Sequence, residues 1–161
     1  MNKPIVICGF SGIGKTELAR RSKAHLVKVK ALDLDSSSYR YIYDVSGNKL
    51  NNPDFPENYI FAIDKYIKYG EYEYILVSMH SSLRNALHDS GISYVAVIPD
   101  PEYCEQEYLR RYLKRGDSPE RIYETHFYWR AWLNEIEETC EKHNMPCIKL
   151  GPTWHLSDIF E

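Results

Sequence analysis

The stretch VICGFSGIGKTELARRS, residues 6–22, constrains the chain more than any other. The apolar run PIVIC leads into glycines at 9, 12 and 14, then Lys15 and Thr16, then a segment of helical character. Gly9, Gly14, Lys15 and Thr16 fit the pattern G-x-x-x-x-G-K-[ST]. Glycines let the backbone curl until successive N–H groups converge on phosphate oxygens. Lys15 adds a point charge for β- and γ-phosphates, Thr16 offers a hydroxyl to Mg²⁺, and the following helix turns its positive end to the same anion. Gly9, Ser11, Gly12, Ile13, Gly14, Lys15, Thr16 and Glu17 are therefore expected to hold ATP, with Thr16 among the metal ligands.

Apolar runs then alternate with helical segments. HLVKVKALDLD (25–35), YEYILVSM (72–79), SYVAVI (93–98) and PCIKL (146–150) read as strands. Helices are expected over about 57–70, with Asp54 and Glu57 at capping-box spacing, from Ser82 to Gly91, over about 101–115, and from Ser118-Pro119 to about His143. The last carries the stripe Ile122, His126, Trp129, Leu133, Ile136 and Cys140, which makes His126 an expected core residue. Residues 36–55 read as polar and irregular. Alternating strand and helix implies a parallel sheet with helices on both faces, whose ligands sit at the carboxyl ends of the strands. The loops after Cys8, Leu34, Met79 and Ile98 should share one rim.

A length of 161 residues suits one domain, 1–161. A net charge of −3 gives no basic footprint for nucleic acid. The four cysteines lack paired spacing and no leader precedes them, so reduced thiols in a cytoplasmic protein are expected. Cys140, His143 and Cys147 fit no common zinc pattern. No apolar run approaches the roughly 20 residues of a membrane span.

The guanine-selective N-K-x-D is missing, because NKL at 48–50 continues with Asn51. The third strand ends ILVSMHSS, with no acid to hold a magnesium shell. The nearest acids are Asp33 and Asp35, closing the second strand. Residues two apart share a strand face, so both carboxylates can look toward the γ-phosphate. At least one is expected in the active site, Asp33 as a metal ligand and Asp35 beside the acceptor, although the assignment between them is open.

With ALDLDSSSY, NPDFPENYI, ILVSMHSSLRNAL and YLRRYLKRG beside the phosphate loop, the chain resembles the P-loop kinases that include nucleoside monophosphate kinases, shikimate kinase and gluconate kinase. More closely it resembles small bacterial and phage proteins labelled adenylate-kinase-like or deoxynucleotide-kinase-like. The resemblance implies a three-layer α/β P-loop NTPase fold with a five-stranded parallel sheet in the order 2-3-1-4-5. It implies an acceptor-binding region over about 36–72 and a lid over about 110–121 whose arginines, Arg111 and Arg115, join Lys15 in catalysis. It places Arg84 where such kinases hold an acceptor phosphate. ATP and Mg²⁺ would be the cofactors. The partner would be a small-molecule acceptor, a nucleotide before others, with nucleic acid only as acceptor, no membrane, and a monomer or homodimer. The thymidylate-kinase Asp-Arg signature is missing and the lid is short.

A monophosphate is anionic at neutral pH and needs cationic clamps, here Arg84 and Arg40. A hydroxyl acceptor, on a small metabolite or a modified base in DNA, needs a carboxylate to take its proton, for which Asp35 is available. Tyr39, Tyr41, Tyr43 and Phe55 either stack on a base or fill the space under a long loop. His80 is either a hydrogen-bonding neighbour or a participant. The expected function is an ATP-dependent phosphotransferase, first a deoxynucleoside monophosphate kinase, then a hydroxyl-directed kinase, then a non-catalytic nucleotide-binding regulator.

Overall fold

The computed structural model describes residues 2–160. Its centre is β1 (Ile5–Gly9), whose Val6, Ile7 and Cys8 are buried and which pairs in parallel with β5 (Tyr74–Val77) and β6 (Tyr94–Pro99). A strand flanked in this way has both faces covered, hence the unbroken apolar run. β2 (Ala31–Asp33) and β7 (Cys147–Leu150) form the edges, giving the order β2-β5-β1-β6-β7. The chain steps from β1 outward to β2 through α1 (Lys15–Lys23), then reverses through α3 (Glu57–Tyr69) to β5 and through α4 (Ser81–Asp89) to β6. Right-handed crossovers travelling in opposite senses set α1 on one face and α3 and α4 on the other. The reversal is also where such sheets open a crevice for ligands. With the glycine loop bridging β1 and α1, this is the three-layer P-loop architecture.

Two strands absent from the sequence reading, β3 (Tyr41–Tyr43) and β4 (Lys49–Asn51), form a separate antiparallel hairpin after the short helix α2 (Ser37–Arg40). Leaving the hairpin aside, the five sheet strands run second, third, first, fourth, fifth. The second strand is shorter than expected: only Ala31–Asp33 pair with β5. The capping box at Asp54 does not form, because α3 begins after Pro56 without a side-chain cap. Ser118 does cap α6 (Pro119–His143), accepting a hydrogen bond from the Arg121 N–H at 3.2 Å. α5 (Glu105–Arg115) ends on Gly116 in the left-handed region. His126 is a correction. It is exposed and meets Glu105 at 2.6 Å, while Thr125 takes the buried position beside it.

Among the described residues no helix is long and apolar enough to cross a membrane, no disulfide forms, and no group of three or more His, Cys, Asp or Glu residues could hold a metal by itself.

Candidate active site

The loop from Gly9 to Thr16 is held from behind by aromatic rings. Phe10 packs edge-on against Trp129 at 5.8 Å and Tyr108 at 6.2 Å, and the Tyr112 hydroxyl donates to Ser11 O at 2.6 Å. Gly12 has φ +85°, and a Cβ there would meet Tyr112 Cε1 at 2.8 Å, so neither conformation nor space admits a side chain. Gly14, at φ +103°, precedes α1 and offers it no side-chain cap. The first N–H groups of the helix thus have no side-chain acceptor, the condition for an anion-binding helix end.

Lys15 lies back across Gly9 and donates to Gly9 O at 2.7 Å. Desolvation pulls its pKa down, against the opposing pull of Asp33. Thr16 Oγ1 donates to Asp33 Oδ2 at 2.8 Å. Asp35 turns instead into a cavity of about 470 Å³ that it shares with Lys15, His80, Arg84 and Arg121. Its Oδ1 accepts from the Ser37 N–H at 3.0 Å, and that bond lowers its pKa. The two acids therefore divide: Asp33 belongs to Thr16, Asp35 to the cavity.

Arg84 is buried in the cavity wall. Its Nη2 meets Glu135 Oε2 at 2.5 Å, its Nε donates to Met79 O at 3.3 Å, and its Nη1 has no partner. Glu135 and Trp132, both from α6, complete this wall and were missed in the sequence. Arg121, Tyr128, Trp132 and Glu135 recur at helical spacing beside the core stripe, and this flank was the available signal.

His80 joins the cavity to a second recess of about 260 Å³, walled by Arg40, Asn51, Asn52 and Phe55. Arg40 Nη1 lies 3.2 Å from His80 Nε2, and an arginine can only donate, so Nε2 is the acceptor and bears no proton. Desolvation, then Arg40 and Arg121, push the His80 pKa from 6.5 to about 4. A depressed histidine contributes stability above the unfolded value and loses it as pH falls. Stability should therefore drop between pH 6.5 and about 4. In His80→Asn, which keeps an acceptor for Arg40, that drop should be shallower, as read by urea unfolding across this range.

Several other expected site residues are held by partners within the protein. Arg111 does not enter the cavity. It donates to Gly12 O at 2.9 Å, Pro152 O at 3.0 Å and Trp154 O at 3.1 Å, tying the phosphate loop to the segment after β7, and its guanidinium covers the Tyr108 ring at 4.5 Å. Arg115 reaches Ser11 Oγ at 3.0 Å while paired with Asp117. Glu17 is exposed, and its carboxylate accepts from Arg20. The Ile13 N–H donates to Phe10 O at 3.0 Å and its side chain is buried. Tyr39 stacks on Tyr59 at 5.1 Å and does not line the cavity.

No family model matches the chain, and no curated protein does. Among solved structures it is similar to a tunicamycin resistance protein from Deinococcus radiodurans, at 15% identity and TM-score 0.49 over 92% of this chain and 100% of that one. It is also similar to a gluconokinase from Sinorhizobium meliloti 1021, at 17% identity and TM-score 0.47 over 98% of this chain and 86% of that one.

Proposed function

We propose that the chain is an ATP-dependent phosphotransferase that passes the γ-phosphoryl group to a hydroxyl held against Asp35. The supporting observation is that Lys15 from the phosphate loop and Asp35 from the second strand border one cavity. Phosphoryl transfer asks mainly for positioning and charge stabilisation. Lys15 and the backbone of the loop would hold the triphosphate, with Arg115 on the loop's Ser11 Oγ at 3.0 Å and Arg121 on the wall of the cavity. Thr16 Oγ1 and Asp33 Oδ2 make a hard-oxygen pair suited to Mg²⁺, which takes few protein ligands beside phosphates and water. When bound, that ion would neutralise charge on the transferring group. Asp35, fixed by the Ser37 N–H through one oxygen, keeps the other to orient the hydroxyl and accept its proton.

A nucleoside monophosphate is the second reading, favoured by the unpartnered Nη1 of Arg84. Against it, Glu135 already matches the charge of Arg84, and Asp35 and Glu135 both repel a dianion. ADP release with monophosphates, nucleosides and sugar acids in parallel separates the two. Asp35→Asn should cost about 10²-fold in kcat with a hydroxyl acceptor. Full turnover in that variant, or stimulation by monophosphates alone, would return the assignment to the second reading.

A further inference from the structure

Arg40 is a cation without a counter-charge among the described residues. It borders the second recess, and its one hydrogen bond runs from Nη1 to His80 Nε2 at 3.2 Å. Its guanidinium stands 5.4 Å from the centre of the Tyr41 ring. The residue is half-buried, yet none of its nitrogens is both sealed and unpaired, so the donors not given to His80 reach solvent. A guanidinium partly withdrawn from water gains from a counter-charge, and its planar fork suits the paired oxygens of a carboxylate or phosphate.

His80 adds a second donor. Its Nε2 accepts from Arg40, so in the neutral ring the proton sits on Nδ1. Among the described residues that N–H has no partner, and it is not sealed from solvent. Phe55 stands edge-on to the imidazole at 6.3 Å. Asn51 and Ser82, both exposed, contribute an amide and a hydroxyl to the same recess of about 260 Å³, and among the described residues no acid lines it. The main cavity differs, because Asp35 and Glu135 share its lining with Lys15 and Arg121.

Resting on the hydroxyl-kinase reading above, we infer that this recess is an oxyanion subsite: the acceptor carries a carboxylate or phosphate received by Arg40 and the His80 Nδ1–H, while its hydroxyl lies at Asp35. The anion is not the group that is phosphorylated. It occupies a hollow that neither the phosphate loop nor the two cavity acids line, so it competes with no triphosphate and meets no carboxylate there. The acceptor class is an acidic hydroxy compound that spans from the cavity past His80, as opposed to a neutral sugar or nucleoside.

The test is calorimetric binding to the full chain loaded with magnesium and a non-hydrolysable ATP analogue. Two matched pairs serve as probes: gluconate with sorbitol, and thymidine 3′-monophosphate with thymidine. The anionic member of at least one pair should bind about tenfold or more tightly than its neutral partner, the usual gain from hydrogen bonds to a charged group. A preference shown only by gluconate identifies a carboxylate, one shown only by thymidine 3′-monophosphate a phosphate, and either supports the subsite. Arg40→Gln, whose amide can still donate to His80, should remove the preference and leave the affinity for the ATP analogue unchanged. Equal binding within both pairs overturns the inference, as does a preference that survives in Arg40→Gln. No binding by any of the four probes also overturns it. Because binding is read without turnover, failure of Asp35 as proton acceptor appears only in the ADP assay, so the two conclusions fail separately.

Discussion

In Lys15→Met, phosphoryl transfer should fall about 10³-fold while the fold survives, because Lys15 serves the loop by charge more than by packing. Its Nζ makes one bond, to Gly9 O at 2.7 Å, and desolvation already disfavours its charged form. Methionine has similar reach and can lie over the same glycine. The thermal midpoint should therefore stay near that of the parent, since removing a half-buried charge offsets the lost hydrogen bond. The loss should appear in kcat/KM for ATP, and in direct binding of an ATP analogue with magnesium. A variant that keeps its turnover would mean that the glycine loop does not hold the nucleotide, and both readings of the acceptor would fall with it.

The parts of this site that were legible in sequence are those specified by short-range rules. The glycine spacing needs only the backbone between β1 and α1, and Gly12 and Gly14 at positive φ carry it. Asp33 and Asp35 were legible because a strand repeats every two residues. Their separate duties were not, since these depend on the Thr16 hydroxyl and the Ser37 N–H arriving from neighbouring elements. Glu135 lies 51 residues from Arg84, and no local pattern joins an acid on a helix flank to an arginine on another helix. Arg111 shows the opposite failure. Its place in the segment that the resemblance reads as a lid suggested the phosphates, yet its donors face three carbonyls, which no spacing rule distinguishes. The β3–β4 hairpin did leave a signal. Asp44 accepts from the N–H groups of Ser46 at 2.9 Å and Asn48 at 2.8 Å, a turn that DVSGN encodes between Tyr41-Ile42-Tyr43 and Lys49-Leu50-Asn51. The signal is weak because each strand has only three residues and most are exposed.

Trp129, which lies outside the loop, should couple the stability of the fold to the affinity for ATP. The residue is 2% exposed, lies edge-on to Phe10 at 5.8 Å and against Tyr108 at 5.8 Å, and donates Nε1–H to Pro101 O at 3.1 Å. Trp129→Ala should cost about 3–5 kcal/mol of unfolding free energy, from lost apolar burial and the void left behind. Pro101 O would also lose its donor. The cost should reach the site, because Phe10 is part of the phosphate loop and Tyr108 is the ring over which Arg111 spans to Gly12 O. With the ring gone, Phe10 has one aromatic neighbour where it had two, and the loop must be ordered at the expense of binding energy. The affinity for an ATP analogue should therefore fall in Trp129→Ala even at temperatures where the variant is fully folded, and recover substantially in Trp129→Phe, which refills most of the volume. Denaturant unfolding and calorimetric binding on the same samples separate the two effects. A large loss of stability with unchanged affinity would show that the aromatic cluster supports the fold alone and that the loop holds its shape through glycine geometry and the Tyr112–Ser11 hydrogen bond.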